Sequence, residues 1–186
     1  YSNFPAMVGR PFKGKAAILA VEKPGVSTFD ENQKSDVSGC TNEFRNTFTF
    51  DTWIKNLATA AEDVKKRYQL NPTKLIIIGH SEGSDSAAML AGTLKDATHV
   101  ICMSGGSGSP VFQSVLRAVK GAKTQAEADL NTRSQLKVWT DAVAKNDPNA
   151  LLWGHTFRYW KSRPATADFL SQSKAKVLLV YGTNDD

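Results

Sequence analysis

The run Lys74-Leu75-Ile76-Ile77-Ile78-Gly79-His80-Ser81-Glu82-Gly83 changes from one structural period to another within a few residues. Its apolar, β-branched part is of strand length and ends at Gly79. A short continuous run of this kind predicts a buried strand of a parallel sheet. Beyond Gly83, Ala87, Ala88, Leu90, Ala91 and Leu94 predict a helix with a small-residue face that can lie close to a sheet. The two glycines fit a sharp strand-to-helix turn, where a side chain would meet neighbouring backbone. Such a turn lifts the Ser81 hydroxyl above the sheet edge. It also aims the amide of Glu82 and the start of the helix at the same point.

Before this run, Trp53, Leu57, Ala60, Ala61, Val64 and Tyr68 recur at three- and four-residue steps and predict an amphipathic helix over residues 50–70. Thr49 or Asp51 can cap its start, and Asn71-Pro72 stops it. Ala16 to Val21 reads as a buried strand ended by Glu22-Lys23-Pro24-Gly25, and Thr98 to Met103 as another. Residues 26–47 read as a long polar connection without regular structure. Lys176 to Tyr181 predicts a final buried strand, leading into Gly182-Thr183-Asn184-Asp185-Asp186. Residues 110–163 show no strand pattern. Two helical faces and an aromatic cluster (Trp153, Phe157, Tyr159, Trp160) predict a helical insertion there, followed by a short helix from Thr166. The alternation of strands and helices predicts one α/β domain over residues 1–186: a mostly parallel sheet with flanking helices and a helical cap insertion.

Composition excludes several classes. Hydrophobic content of 41% and charged content of 22% suit a globular domain with a sizeable core. No stretch is long and apolar enough to cross a bilayer, so no membrane partner is expected. The net charge of +5 raises the question of nucleic acid. Its only tight basic run, Lys65-Lys66-Arg67, lies within the predicted helix, and the other basic residues are scattered among acids. This predicts a solvated surface and no nucleic-acid partner. Of the two cysteines, Cys102 lies in an apolar run and Cys40 in a polar loop, which is neither a disulfide framework nor metal spacing. Compartment stays open between cytoplasmic and exported. The glycines at Ser104-Gly105-Gly106-Ser107-Gly108-Ser109 lack the Gly-Lys-Ser/Thr of a phosphate loop and the third glycine of a dinucleotide fingerprint. They read as a flexible exit from a strand, and no cofactor is expected.

The elbow Gly79-His80-Ser81-Glu82-Gly83, the strand Val177–Tyr181 with Gly182-Thr183-Asn184-Asp185 after it, the insertion at 110–163 and the segment Ala16–Gly25 together resemble an α/β-hydrolase. Within that superfamily the chain is most similar to bacterial serine hydrolases of the esterase and prolyl-oligopeptidase groups. The resemblance implies a serine hydrolase acting on a small-molecule acyl substrate (ester, thioester or amide) through an acyl-enzyme. It implies Ser81 as nucleophile, Asp185 as the triad acid with Asp186 as its alternate, and the Glu82 backbone N–H as an oxyanion donor. Oligomeric state is not implied.

The family places its histidine tens of residues after the acid, and none follows Asp185 in this sequence. Its other oxyanion loop belongs before the strand at Ala16. The expectation is therefore a chain that represents the middle of a hydrolase. Of the three histidines, His80 precedes the serine, His99 begins a strand at the opposite end, and His155 lies where a cap can fold over the site. The absent histidine motivates a second reading, a non-catalytic protein of this fold that binds a ligand or partner.

Overall fold

The computed structural model describes residues 4–27, 34, 36–105, 108–163 and 165–182. Among the described residues, three parallel strands form the main sheet: β1 (Ile76–His80), β2 (His99–Met103) and β5 (Lys176–Val180), in the order β1-β2-β5. Chain order along β1 and β2 is joined by α4 (Glu82–Thr93), the helix that follows the serine. The fold is α/β, as the sequence predicts.

The register explains the burial. Ile77 pairs with Val100 and Gly79 with Cys102, and these residues face α4. Ser84 through Ala91 of α4 are all buried, because the helix is enclosed by the sheet, by α3 (Phe50–Arg67) and by α8 (Thr166–Gln172). Its small side chains let it approach closely: Ala88 is fully buried and Ala87 nearly so. Ile76, Ile78 and Ile101, on the other face of the sheet, are half-buried.

Thr49 caps α3 by accepting from the Thr52 N–H at 3.1 Å, with Asp51 in the first turn. The helix ends at Arg67, before Asn71-Pro72 is reached. The basic run at its end is partnered by acids: Lys65 pairs with Glu62 and Asp96, and Arg67 with Asp63. The connection before α3 is more ordered than its polar composition predicts. A 3-10 turn at Val37–Gly39 and a helix α2 (Asn42–Thr47) bury Val37, Phe44 and Phe48. Thr41 caps α2, accepting from the Phe44 N–H at 3.1 Å.

Two strand expectations fail. Ala16–Val21 forms no strand: no described segment takes up its hydrogen bonds, and Ile18 and Leu19 are exposed. An apolar run becomes a strand only where a neighbour completes the ladder. The final strand forms as β5 but is not buried. It pairs only with β2 among the described residues, and Val177 to Tyr181 are exposed. At the N-terminus a short helix α1 (Phe4–Gly9) forms, with Met7 exposed rather than packed on the core.

The insertion holds an antiparallel pair, α5 (Pro110–Lys120) and α6 (Gln125–Lys145). It also holds a two-stranded ribbon that sequence pattern missed, β3 (Leu151–Leu152) against β4 (His155–Thr156). The turn between them uses Trp153 and Gly154 at positive φ. Helix α7 (Phe157–Ser162) follows, carrying Phe157 and Tyr159 into the core.

Candidate active site

Ser81 stands at the carboxyl end of β1, where open parallel sheets place their sites. Its backbone is at φ 54°, ψ −123°, a conformation costly for any residue with a side chain. Serine is a favoured helix cap, yet Ser81 makes no capping hydrogen bond to α4. The hydroxyl is thus not engaged as a cap, and the residue is exposed. The strand ends are tied to one another beneath it. Ser81 N–H donates to Met103 at 2.9 Å, and Ser104 N–H to Val180 at 2.8 Å. The buried Ser84 hydroxyl donates to the Met103 carbonyl at 2.8 Å, fixing the first turn of α4 to β2.

The glycines divide differently from the sequence reading. A Cβ on Gly79 would stand 1.9 Å from the Gly83 carbonyl oxygen, so the turn cannot close with a side chain there. Gly83 itself has open space and helical backbone. The second indispensable glycine is Gly105, where a Cβ would lie 2.3 Å from the Ser81 carbonyl oxygen. The glycine-rich turn after β2 is thus, at Gly105, a tight contact with the elbow rather than a flexible exit. Tyr181 reinforces it, donating to the Gly105 carbonyl at 3.1 Å. Gly79→Ala is expected to destabilise the protein by about 1–3 kcal/mol. Gly83→Ala should be neutral or stabilising by up to ~1 kcal/mol, as alanine is the better helix former. Denaturant midpoints for the two variants check this pair. Equal losses in both would contradict the steric account.

Glu82, next to the serine, is held by two side chains that the sequence did not connect to it. Lys23 Nζ donates to Oε1 at 2.5 Å, and the Tyr159 hydroxyl donates to Oε2 at 3.0 Å. Burial pushes the Glu82 carboxyl up, but the Lys23 charge, both hydrogen bonds and His155 outweigh it and hold the carboxyl below its usual range. Tyr159 is almost fully buried. Burial and the adjacent Glu82 charge push its hydroxyl well above the ordinary tyrosine range, so it stays a donor.

The aromatic cluster packs the insertion onto the core rather than lining an open pocket. Tyr159 stacks on His155 with centroids 3.9 Å apart and on Phe48 at 5.6 Å, while Trp153 stacks on Trp139. Hydrogen bonds tie the insertion to itself and to α2. Trp160 Nε1 donates to the Leu152 carbonyl, and Arg158 to the Asn46 carbonyl.

His80 is the exposed end residue of β1. His99 begins β2, at the sheet edge away from Ser81, with Nδ1 2.9 Å from the Thr98 hydroxyl. His155 stacks on Tyr159, whose hydroxyl reaches Glu82. Burial in the aromatic stack, with Lys23 and Arg163 nearby, lowers its pKa to about 4, against the raising effect of Glu82. A general base works best with a pKa near the operating pH, so His155 is poorly matched to that role. Its depressed value also sets a pH dependence. Between about pH 6.5 and pH 4 the unfolded chain binds a proton at His155 that the folded chain refuses. Stability is expected to fall as pH drops through that window. His155→Phe, which keeps a ring on Tyr159, should flatten the slope. Urea denaturation at pH 7 and pH 4.5 measures it, and an equal slope in the variant would contradict this assignment. The Glu82 contribution is lost lower, as pH falls below its ordinary range.

A second anchor went unnoticed in the sequence. Asp85 is buried in the first turn of α4. Arg163 Nε and its terminal nitrogen meet Oδ2 at 2.8 and 2.6 Å, and Thr166 donates to Oδ1 at 2.5 Å. An aspartate inside the small-residue face of an otherwise apolar helix was the available signal. The proposed acid Asp185, and Asp186, lie outside the described residues. Among the described residues no group of three or more His, Cys, Asp or Glu is placed to hold a metal ion. No described helix is long and apolar enough to cross a membrane. Set against family models, characterised proteins and solved structures, the chain finds no match in any of the three.

Proposed function

We infer that the protein is a serine hydrolase that cleaves an ester, thioester or amide of a small acyl substrate. The observation that supports this most is Ser81 itself: exposed, at the carboxyl edge of a parallel sheet, in a strained conformation that forgoes its cap. Strain of this kind persists only where the surroundings enforce it; the Ser81 backbone is held by its bonds to Met103 and Ser84, and Gly79 and Gly105 leave it the room. In the α/β-hydrolase pattern such a serine attacks the acyl carbon. Its proton passes to a histidine oriented by an acid, here assigned to Asp185, and then to the leaving group. The Glu82 N–H, first in α4 and without an intrahelical acceptor, is the assigned oxyanion donor. Loss of one such donor typically costs ~3 kcal/mol of transition-state stabilisation.

Turnover of a short p-nitrophenyl ester by the native protein, with an initial burst of nitrophenol, tests this reading. Absence of both burst and turnover across ester and thioester substrates would instead favour a binding protein on the same fold.

A further inference from the structure

Tyr159 reaches the elbow from the insertion, and it does so at the residue whose amide the hydrolase reading uses. The Glu82 carboxylate is fastened on both oxygens, by Lys23 on one and by the Tyr159 hydroxyl on the other. Both donors are themselves fixed. Lys23 Nζ lies 4.7 Å over the Phe48 ring. Tyr159 is 2% exposed and stacks on Phe48 and His155. Its carbonyl accepts from the Ser162 hydroxyl, and Ser162 Oγ accepts from the Phe50 N–H at the start of α3. The ring's packing does not depend on its hydroxyl, so the bond to Glu82 is a contact between insertion and elbow that can be removed alone.

We propose that Tyr159 is a positioning residue: through the Glu82 carboxylate it sets the first turn of α4, and with it the Glu82 N–H, so that the elbow is competent only with the insertion seated. This rests on reading Ser81 as the nucleophile and the Glu82 N–H as the oxyanion donor. A displaced donor loses its grip on the charge that develops in the transition state, while binding of a short acyl substrate hardly changes. The effect therefore falls on kcat.

The test compares Tyr159→Phe, Glu82→Gln and the double variant with the native protein on a short p-nitrophenyl ester, with fluorophosphonate labelling of Ser81 run alongside. Expected are kcat losses on the order of ten- to a hundredfold in each single variant, with KM held within about twofold. The double variant should lose no more than the worse single variant, because both cut one pathway. Thermal midpoints serve as the check on folding. Native kcat in Tyr159→Phe, or losses that multiply in the double variant, overturn the proposal. Should Tyr159→Phe not fold, Glu82→Gln decides alone, and native kcat there overturns it. A native protein that neither labels at Ser81 nor turns over ester brings down the hydrolase reading, and this inference with it. A native protein that labels, beside unaffected variants, brings down the positioning role only.

Discussion

Ser81→Ala is expected to reduce ester turnover by a factor of ~10⁴ or more while leaving the fold intact. The size follows from what the residue does in this scheme. Without Oγ no acyl-enzyme forms, and only solvent attack assisted by the oxyanion donors remains. The fold should survive because the side chain is exposed and caps nothing. Alanine at φ 54° keeps the backbone strain, so no large gain in stability is expected either. Steady-state kinetics with a matched denaturation curve check both halves. Turnover in Ser81→Ala at the native rate would remove the serine from the chemistry.

The largest expected effect on stability is at Asp85. Asp85→Ala leaves the Arg163 guanidinium, only about 10% exposed, without its carboxylate. Breaking a buried ion pair on one side typically costs about 3–5 kcal/mol, because the surviving charge is stranded. That is a large part of the stability of an ordinary domain. Thr166 also loses its acceptor. Replacing both partners, as Asp85→Ala with Arg163→Met, removes the stranded charge and should recover much of the loss. Guanidinium denaturation of the two single variants and the double gives the coupling. A double variant as unstable as the sum of its parts would show that the pair is not coupled. The pair also matters to the site. It ties the segment between α7 and α8 to the helix that presents Ser81, so insertion and elbow are joined at Asp85 as well as at Glu82.

What the sequence makes legible is set by how local the cause is. The apolar runs at Ile76 and Val100 and the period of Trp53, Leu57, Ala61 and Val64 determine their elements, and the structure has them within a few residues. The elbow is legible because its glycine and serine are only two positions apart in the chain. Contacts between distant segments are not. Nothing near Gly105 in the sequence says that the Ser81 carbonyl lies against it. Nothing near Lys23 or Tyr159 says that both end on Glu82. The same limit explains the failed strand. Ala16–Val21 has the composition of a strand, but a strand is a property of a pair, and no described neighbour pairs with it. In the other direction, α2 formed where polar sequence suggested no regular structure, because Phe44 buries itself from it, and the ribbon at Leu151–Thr156, which buries Leu152, formed within a segment read as helical.

The insertion's aromatic residues pack against the core rather than line a pocket. Phe157 and Tyr159 are buried against Trp139, Phe48 and Phe50. One of them, Tyr159, nevertheless reaches the residue beside the nucleophile through its hydroxyl. A side chain can therefore belong to the core by its ring and to the site by its polar end.

A fluorophosphonate probe tests directly whether Ser81 is an activated nucleophile. A single covalent adduct is expected on the native protein, mapped by mass spectrometry to Ser81 and lost in Ser81→Ala. No adduct, or one mapped to another residue and retained in Ser81→Ala, would contradict it.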